Sequence, residues 1–336
     1  MKDCNWRTQA SHEVLLERAL MLKNIRAFFD GKNVVEVETP LLSHSCTTDP
    51  HLDSLQSRFR DQACYLNTSP EHAMKRLLAS WQAPIFQICK AFRDDELGLN
   101  HNPEFTMLEW YRPDYDMRQL MEELAELVIF ICNESSYVNV VASSVKNPNF
   151  GYISYQQAFE EFVGIDPHQS TAVDCHHVAV KNGIEIPQGL GISENELNDW
   201  LDWLLTQLVL PKFNKNTFTF LYDYPASQCS LAKIVENEDQ VLVAKRFELF
   251  FGEVELANGF HELTDAEEQL QRFKLENNTR RLLGKGDGCI DMNFIAALDY
   301  GLPECSGVAM GLDRLLMVLA KVKDIKQVLS FSWVDA

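Results

Sequence analysis

Cations are scarce in this chain. Its 30 lysines and arginines face 49 aspartates and glutamates, a formal net charge of −19. That balance argues against broad nonspecific nucleic-acid binding, which depends on cationic contacts to phosphates, and leaves room only for a local basic patch. Long apolar runs are also missing: the longest, near Leu127–Cys132, is far short of the ~20 residues that span a bilayer, so no membrane partner is expected. The opening residues MKDCNWRTQASHEV carry acids and no apolar core, so no secretory signal is expected. Nine cysteines, an odd number, lie scattered without a CxxC pair, which fits reduced thiols in the cytosol and no disulfide framework. Cys175-His176-His177 invites a zinc reading, but no second ligand pair follows at finger spacing; a solvated helix end is expected instead. No segment is low-complexity or repeated. No GxxxxGK[ST] loop occurs, so a P-loop ATP site is not expected.

What is present suffices for a substantial core: 336 residues, 46% of them hydrophobic. That length allows one large or two ordinary domains. Ser11–Asp30 reads as an amphipathic helix with Leu15, Ala19, Leu22, Ile25 and Phe29 along one stripe, ended by Gly31. Val34–Thr39 then reads as a strand closed by Pro40. Residues 114–132 and 193–210 look helical, and Gln228–Gly259 mixes strand and turn. Region 135–216 carries no recognisable motif and is expected to pack as a helical insertion.

Residues 85–113, IFQICKAFRDDELGLNHNPEFTMLEWYRP, carry the densest chemistry. Two strand-like runs flank a charged loop longer than the roughly 2–5 residues of a simple hairpin. The loop offers Arg93, acids, His101 and then an aromatic: cations for phosphates, a ring for adenine, carboxylates for a metal or an amine. Alternation puts Phe105, Met107, Glu109 and Tyr111 on one face of the second strand. Glu109 needs a partner if it is buried. On residues alone, a nucleotide site and an edge hairpin with a solvated tip both stand. Thr68-Ser69-Pro70-Glu71 reads as a helix start, with Ser69 as cap and Pro70 in the first turn. Glu248 and Glu255 stand seven apart across a hairpin turning at Gly252, so both can reach one hard cation such as Mg²⁺. A charged surface hairpin is the alternative. Ser306–Arg314 reads as a glycine-rich opening to a final apolar helix, its arginine placed to reach phosphate.

In order, these segments resemble the three motifs of class II aminoacyl-tRNA synthetases in their lysyl version. Positions 92–93 and 101–107 fit the motif 2 pattern Phe-Arg-x-Glu, loop, His-Asn-Pro-Glu-Phe-Thr-Met. Glu-Leu-Ala-Asn-Gly-Phe-His-Glu-Leu, residues 255–263, is close to the family's Glu-Ile-x-Asn-Gly-Phe-Ser-Glu-Leu. The resemblance implies an α+β fold, an antiparallel sheet flanked by helices, forming one catalytic domain over residues 1–336 and a homodimer through motif 1. It implies that Arg93 grips the ATP α-phosphate and the substrate carboxylate, that Phe105 stacks on adenine, and that Arg314 contacts the outer phosphates. Asp94, Asp95, His101, Asn102, Glu255, Leu256 and Gly311 complete the implied nucleotide set. Glu248 and Glu255 would bind Mg²⁺. Ser69, Pro70, Glu71, Glu109, Tyr111, Asn258, Glu262 and Ala309 would form the amino-acid pocket. In it Glu71 faces the substrate's amino group, and Glu262 with Tyr111 holds the ε-ammonium.

With the first motif starting near Ser11, no anticodon-binding domain is expected ahead of it, and tRNA is not the expected acceptor. The chain most resembles the elongation factor P lysine ligases, a family of truncated lysyl-synthetase paralogues. Pro103–Pro113 and Phe260–Ala266 look nearly family-identical. The implied activity is ATP-dependent activation of (R)-β-lysine and its transfer to a lysine of elongation factor P, in the cytoplasm. A compact lysyl-tRNA synthetase using α-lysine and a non-catalytic synthetase-like regulatory subunit are the competing readings. The chain departs from the pattern at Asp95, where a glutamate is usual, and at Leu99 and Asn100, where relatives place an arginine or tyrosine. Its C-terminal Ser-Trp-Val-Asp-Ala also lacks an expected arginine. Ala309 replaces the usual synthetase glycine of motif 3, and its methyl is expected to favour the β-isomer.

Overall fold

The computed structural model describes residues 6–94, 97–136 and 147–336. Asp95 lies outside the described residues. In chain order the helices are α1 (His12–Gly31), α2 (Glu71–Trp81), α3 (Met117–Glu134), α4 (Tyr155–Phe162), α5 (Ala172–Asn182), α6 (Leu197–Leu204), α7 (Ala266–Leu282), α8 (Met292–Gly301) and α9 (Leu312–Ala320). The strands are β1 (Val35–Glu36), β2 (Leu42–Ser43), β3 (Gln56–Phe59), β4 (Gln62–Leu66), β5 (Ile85–Phe92), β6 (Glu104–Pro113), β7 (Phe150–Ser154), β8 (Phe218–Pro225), β9 (Ile234–Glu236), β10 (Leu242–Phe251), β11 (Val254–His261) and β12 (Cys305–Gly311). The chain divides into two compact units, residues 1–147 with 263–336, and residues 148–262.

In the first unit the strands run in the order β1-β5-β6-β12. β5, β6 and β12 pair antiparallel, and only the short β1 joins parallel. A smaller sheet has the order β2-β4-β3. The antiparallel, helix-flanked α+β class is therefore as the sequence implied. Helix α1 starts where Ser11 accepts the Val14 N–H. It buries Val14, Glu17, Met21, Ile25 and Phe29. Phe29 stacks on Phe86 of β5 at 4.5 Å and lies 5.4 Å from Trp110 of β6.

Four local expectations need correction in this unit. The α1 stripe is rotated: Ala19 is exposed and Leu15 and Leu22 are only half-buried. Leu15, Leu16, Leu20, Met21 and Leu22 make the helix apolar on several sides, so periodicity alone did not select the face. Gly31 is the last helical residue, and the left-handed residue is Asn33 at φ 55°. The following strand holds only Val35 and Glu36. Most consequentially, residues 305–311 are a strand, and the last helix begins at Leu312. Gly307, Ala309 and Gly311 alternate with Val308 and Met310, and that period of two belongs to a strand.

In the second unit the order is β11-β10-β8-β7, with β9 beside β10. The β10–β11 hairpin turns at Gly252 as expected, with φ 56°, a left-handed backbone that suits glycine. Leu249 pairs with Ala257 and Phe250 with Glu255, which leaves Leu256 as an extra residue in the ladder. Helices α4, α5 and α6 bury Phe159, Cys175, Trp200 and Leu204 in one core with Leu221, Tyr224 and Phe250. The stretch read as a helical insertion thus holds those helices and also β7, a strand parallel to β8. Cys175 is buried inside α5 and its thiol is pushed up to about 11 by that burial. The His176 ring packs edge-on against Trp200. Among the described residues no group of three or more His, Cys, Asp and Glu is arranged to hold a metal. Nor is any described helix long and apolar enough to cross a membrane.

Candidate active site

One face of the first unit's sheet collects the chemistry. Directly paired residues on neighbouring strands share a face. Gln87, Glu109 and Ala309 form one such row across β5, β6 and β12, and Ile85, Tyr111 and Gly307 form the next. Cys89, Met107 and Gly311 form a third. The third strand contributes only glycine or alanine to all three rows. No bulky side chain therefore comes from β12 onto this face beside Glu109.

Glu109 is 2% exposed in the middle of this face. Its carboxylate accepts from Ser69 Oγ at 2.5 Å and from the Tyr111 hydroxyl at 3.1 Å. Burial, then the negative charge of Glu71, raises its carboxyl to about 8, against the two hydrogen bonds and Lys75. Ser69 does not cap α2; the cap position is Pro70, without a side-chain bond. Its hydroxyl instead accepts the Glu71 N–H at 3.0 Å while donating to Glu109. Glu71 opens α2 and pairs with Lys75 one turn later at 2.6 Å. Ser69, Glu71, Glu109 and Tyr111 therefore come together, with Ala309 across the sheet from Glu109.

A second group lies at the β5–β6 loop. The Arg93 guanidinium sits 5.1 Å from the centroid of the Phe105 ring. The Asp94 N–H donates to the Asp53 carbonyl at 2.9 Å. Arg314, in the first turn of α9, approaches His101 Nε2 at 2.6 Å and donates to the Asn100 carbonyl at 3.3 Å. A guanidinium only donates, so His101 Nε2 accepts. Asn102 is buried, donating to the Glu104 carbonyl at 2.6 Å and accepting the Trp333 N–H at 2.9 Å. It holds the loop and the C-terminal segment by backbone atoms. Leu99 is 66% exposed at the tip of the tight turn joining Gly98 and His101.

The remaining residues lie in the second unit. Glu248 pairs with Asn258, and Phe250 with Glu255, so Glu248, Asn258 and Glu255 share a face. Burial and the Glu255 charge raise the Glu248 carboxyl, against the neighbouring Arg246. Arg246 hydrogen-bonds Glu248 and lies over the Tyr224 ring at 4.5 Å. Two carboxylates crowding one face fit a hard, oxygen-seeking dication, so the donor set suits Mg²⁺. Glu262 is 1% exposed beyond the end of β11.

The sequence reading missed four residues of these groups. Lys75 is 1% exposed and holds Glu71; its signal was the Glu-Lys spacing of four. Arg246 stands beside Glu248, flagged only by a cation two residues away on the same strand face. Asp313 is buried, accepting the Thr106 N–H at 2.7 Å and pairing with Arg18 at 2.6 Å. It joins the start of α9 to β6 and so aims the neighbouring Arg314. Arg18 also donates to Thr106 Oγ1 at 2.6 Å. Nothing in the local sequence announced that long-range pair.

A family model of class II tRNA synthetases (D, K and N) matches residues 3–334. Curated relatives similar to the chain include proteins named elongation factor P–(R)-beta-lysine ligase from Salmonella paratyphi B and Salmonella schwarzengrund. Each is 42% identical over 335 residues, covering 97% of this chain and 97% of the relative. A relative of the same name from Salmonella dublin has the same identity and coverage.

Proposed function

The chain belongs to the class II tRNA synthetase family of the D, K and N type, and from that premise we propose that it activates (R)-β-lysine with ATP and transfers it to a lysine side chain of elongation factor P. The observation that carries this reading is the carboxylate pair Glu71 and Glu109, joined through Ser69 on a sheet face where β12 contributes only Gly307, Ala309 and Gly311. Such a pair suits an amine-bearing substrate. The names of the relatives, similar along nearly the whole length of both chains, point to the same substrate and acceptor.

In the first half-reaction a carboxylate oxygen of the amino acid attacks the α-phosphorus, and the bond to pyrophosphate breaks. Arg93 offsets the charge that develops at the α-phosphate, Phe105 stacks on adenine, and Arg314 with His101 receives the outer phosphates. Asn102 fixes the loop, with Asp94, Asp95, Leu256 and Gly311 lining the nucleotide. Glu248 and Glu255 would hold Mg²⁺, which supplies positive charge to the phosphate oxygens. Glu71 and Glu109 bind the amino group, while Glu262 and Tyr111 hold the ε-ammonium and Asn258 borders them. In the second half-reaction the acceptor's ε-amine attacks the acyl carbon and AMP leaves. We further read residues 1–336 as one catalytic domain with residues 135–216 inserted, acting in the cytoplasm as a homodimer through α1 and β1. The net charge of −19 repels a polyanion such as tRNA at long range.

Mass spectrometry of elongation factor P tests this, after incubation with the protein, ATP, Mg²⁺ and (R)-β-lysine. One added lysyl mass on a single lysine is expected. An unmodified factor, together with efficient charging of tRNA by α-lysine, would overturn the reading in favour of a compact synthetase.

A further inference from the structure

Cys46 and Cys289 lie side by side in the first unit, 243 positions apart in the chain. Cys46 follows β2, and Cys289 lies on the loop between α7 and α8. The Cys46 N–H donates to the Cys289 carbonyl at 3.0 Å, and the Cys289 N–H donates to Cys46 Sγ at 3.0 Å. Each residue's N–H thus reaches an atom of the other, which holds the two cysteines side by side. Disulfides form between cysteines whose Cα atoms lie roughly 4.4–6.8 Å apart. The Cys46 sulfur already touches the Cys289 amide, one side chain's length from the Cys289 thiol. Cys289 is exposed and Cys46 half-buried, whereas Cys64, Cys132, Cys175 and Cys305 are buried.

The segments carrying the two cysteines are held together along their length. Arg280 donates to the Asp49 and Leu52 carbonyls at 2.8 and 2.9 Å, and to Asp53 at 2.8 Å. Lys285 reaches the Pro50 carbonyl at 2.8 Å and Asp53 at 2.7 Å. Gly288 packs so closely that a Cβ on it would meet the Thr47 carbonyl oxygen at 2.2 Å. The Asp53 carbonyl in turn accepts the N–H of Asp94, next to Arg93. Backbone rigidity in residues 46–53 therefore bears on the β5–β6 loop.

We propose that Cys46 and Cys289 are a thiol-modification site that closes to a reversible disulfide on reaction with a low-molecular-weight disulfide, latching residues 46–53 to the loop 285–290. Cys289, the exposed thiol, reacts first. Its thiolate attacks one sulfur of the small disulfide, whose S–S bond breaks and releases one thiolate. Cys46 then gives its proton to solvent, attacks the Cys289 sulfur and expels the second thiolate. Two protein thiols are oxidised and one small disulfide is reduced to two thiols. Burial pushes the Cys46 thiol up, only partly offset by the Cys289 N–H and the Arg280 charge, so the exposed Cys289 is the thiol that meets the small disulfide first.

Incubation of the full-length protein with oxidised glutathione, followed by non-reducing digestion and mass spectrometry, tests the site. The expected product is the Cys46–Cys289 linked peptide pair, lost on adding dithiothreitol. In Cys46→Ser the expected product is a stable glutathione adduct on Cys289. Amide exchange across residues 46–53 should slow at least about threefold in the linked form. A wild-type protein that accumulates the Cys289 adduct without the link, or that links Cys289 equally to another cysteine, would overturn the proposal. So would unchanged amide exchange in the linked form, because no latch would then exist.

Discussion

Ala309 on β12 stands directly across from Glu109 on β6, in the same antiparallel row as Gln87 of β5. Its methyl therefore projects beside the buried carboxylate proposed to receive the substrate's amino group. The β-isomer carries its amine one carbon further from the carboxyl than α-lysine does, so a methyl here bears on the choice between them. Ala309→Gly should shift preference toward α-lysine by ~1–3 kcal/mol, the usual worth of one methylene. The ratio of pyrophosphate-exchange rates with the two isomers measures this. An unmoved ratio would place the selectivity elsewhere.

The raised Glu109 carboxyl makes two linked predictions. Below about 8 the folded, ligand-free protein keeps Glu109 protonated, whereas the unfolded chain loses that proton near the ordinary carboxylate value of 4.5. The folded state then binds the extra proton, so the Glu109 contribution favours folding at low pH. It declines as pH rises from about 4.5 to about 8. Thermal midpoints between pH 5 and 9 should show that slope in the wild type and lose it in Glu109→Gln. A cationic amine binding at pH 7 should expel the proton. Calorimetry in buffers of different ionisation enthalpy should read release approaching one proton, and no buffer dependence would mean Glu109 is already ionised.

Arg314 is aimed by two contacts, Nη2 to His101 Nε2 and Nε to the Asn100 carbonyl. His101→Ala removes the stronger one and leaves the arginine in place. A hydrogen bond to a charged group is worth roughly 1.5–3 kcal/mol, which sets the expected rise in KM for ATP at about tenfold or more. KM for the amino acid should change little. Equal rises in both constants would argue that His101 organises the whole loop.

Glu262 is 1% exposed, and the proposed role gives it the substrate's ε-ammonium as partner. Glu262→Gln is nearly isosteric and removes the charge. Breaking a buried pair costs about 3–5 kcal/mol, so affinity for lysine should collapse while ATP binding persists. Unchanged lysine affinity would remove Glu262 from the pocket.

Motif chemistry was legible because it is local. The loop after Arg93, the Gly252 hairpin and the alternation of Phe105, Met107, Glu109 and Tyr111 all appear in short windows. Elements of ambiguous period were not legible. α1 is apolar on several sides, so its buried face was set by Phe86 and Trp110, far away in sequence. Residues 305–311 read as a helix start because their glycines were assigned to a turn, yet the same glycines serve as small residues in a strand beside β6. Ser69 has the look of a cap, and only the position of Glu109 on another strand shows what its hydroxyl does. Lys75 and Asp313 were invisible for the same reason: a buried charge is defined by its distant surroundings.

Lys75 is the sharpest test of the carboxylate group. It is 1% exposed, pairs with Glu71 at 2.6 Å and lies 5.7 Å from the centre of the Phe294 ring. Its charge also steadies Glu109, opposing the upward shift caused by burial and by Glu71. Lys75→Met keeps the length of the side chain and deletes the cation. Without that cation nothing offsets the Glu71 charge, so the Glu109 carboxyl rises further and holds its proton more tightly against an incoming amine. Removing one partner of a buried pair should cost about 3–5 kcal/mol of stability, read from denaturant unfolding. In protein kept folded at low temperature, KM for the amino acid should rise by at least tenfold at pH 7 and recover toward pH 9, where the carboxyl groups ionise again. KM for ATP should stay flat across the same range. A loss of amino-acid binding that does not recover with pH would make Lys75 a packing residue and nothing more.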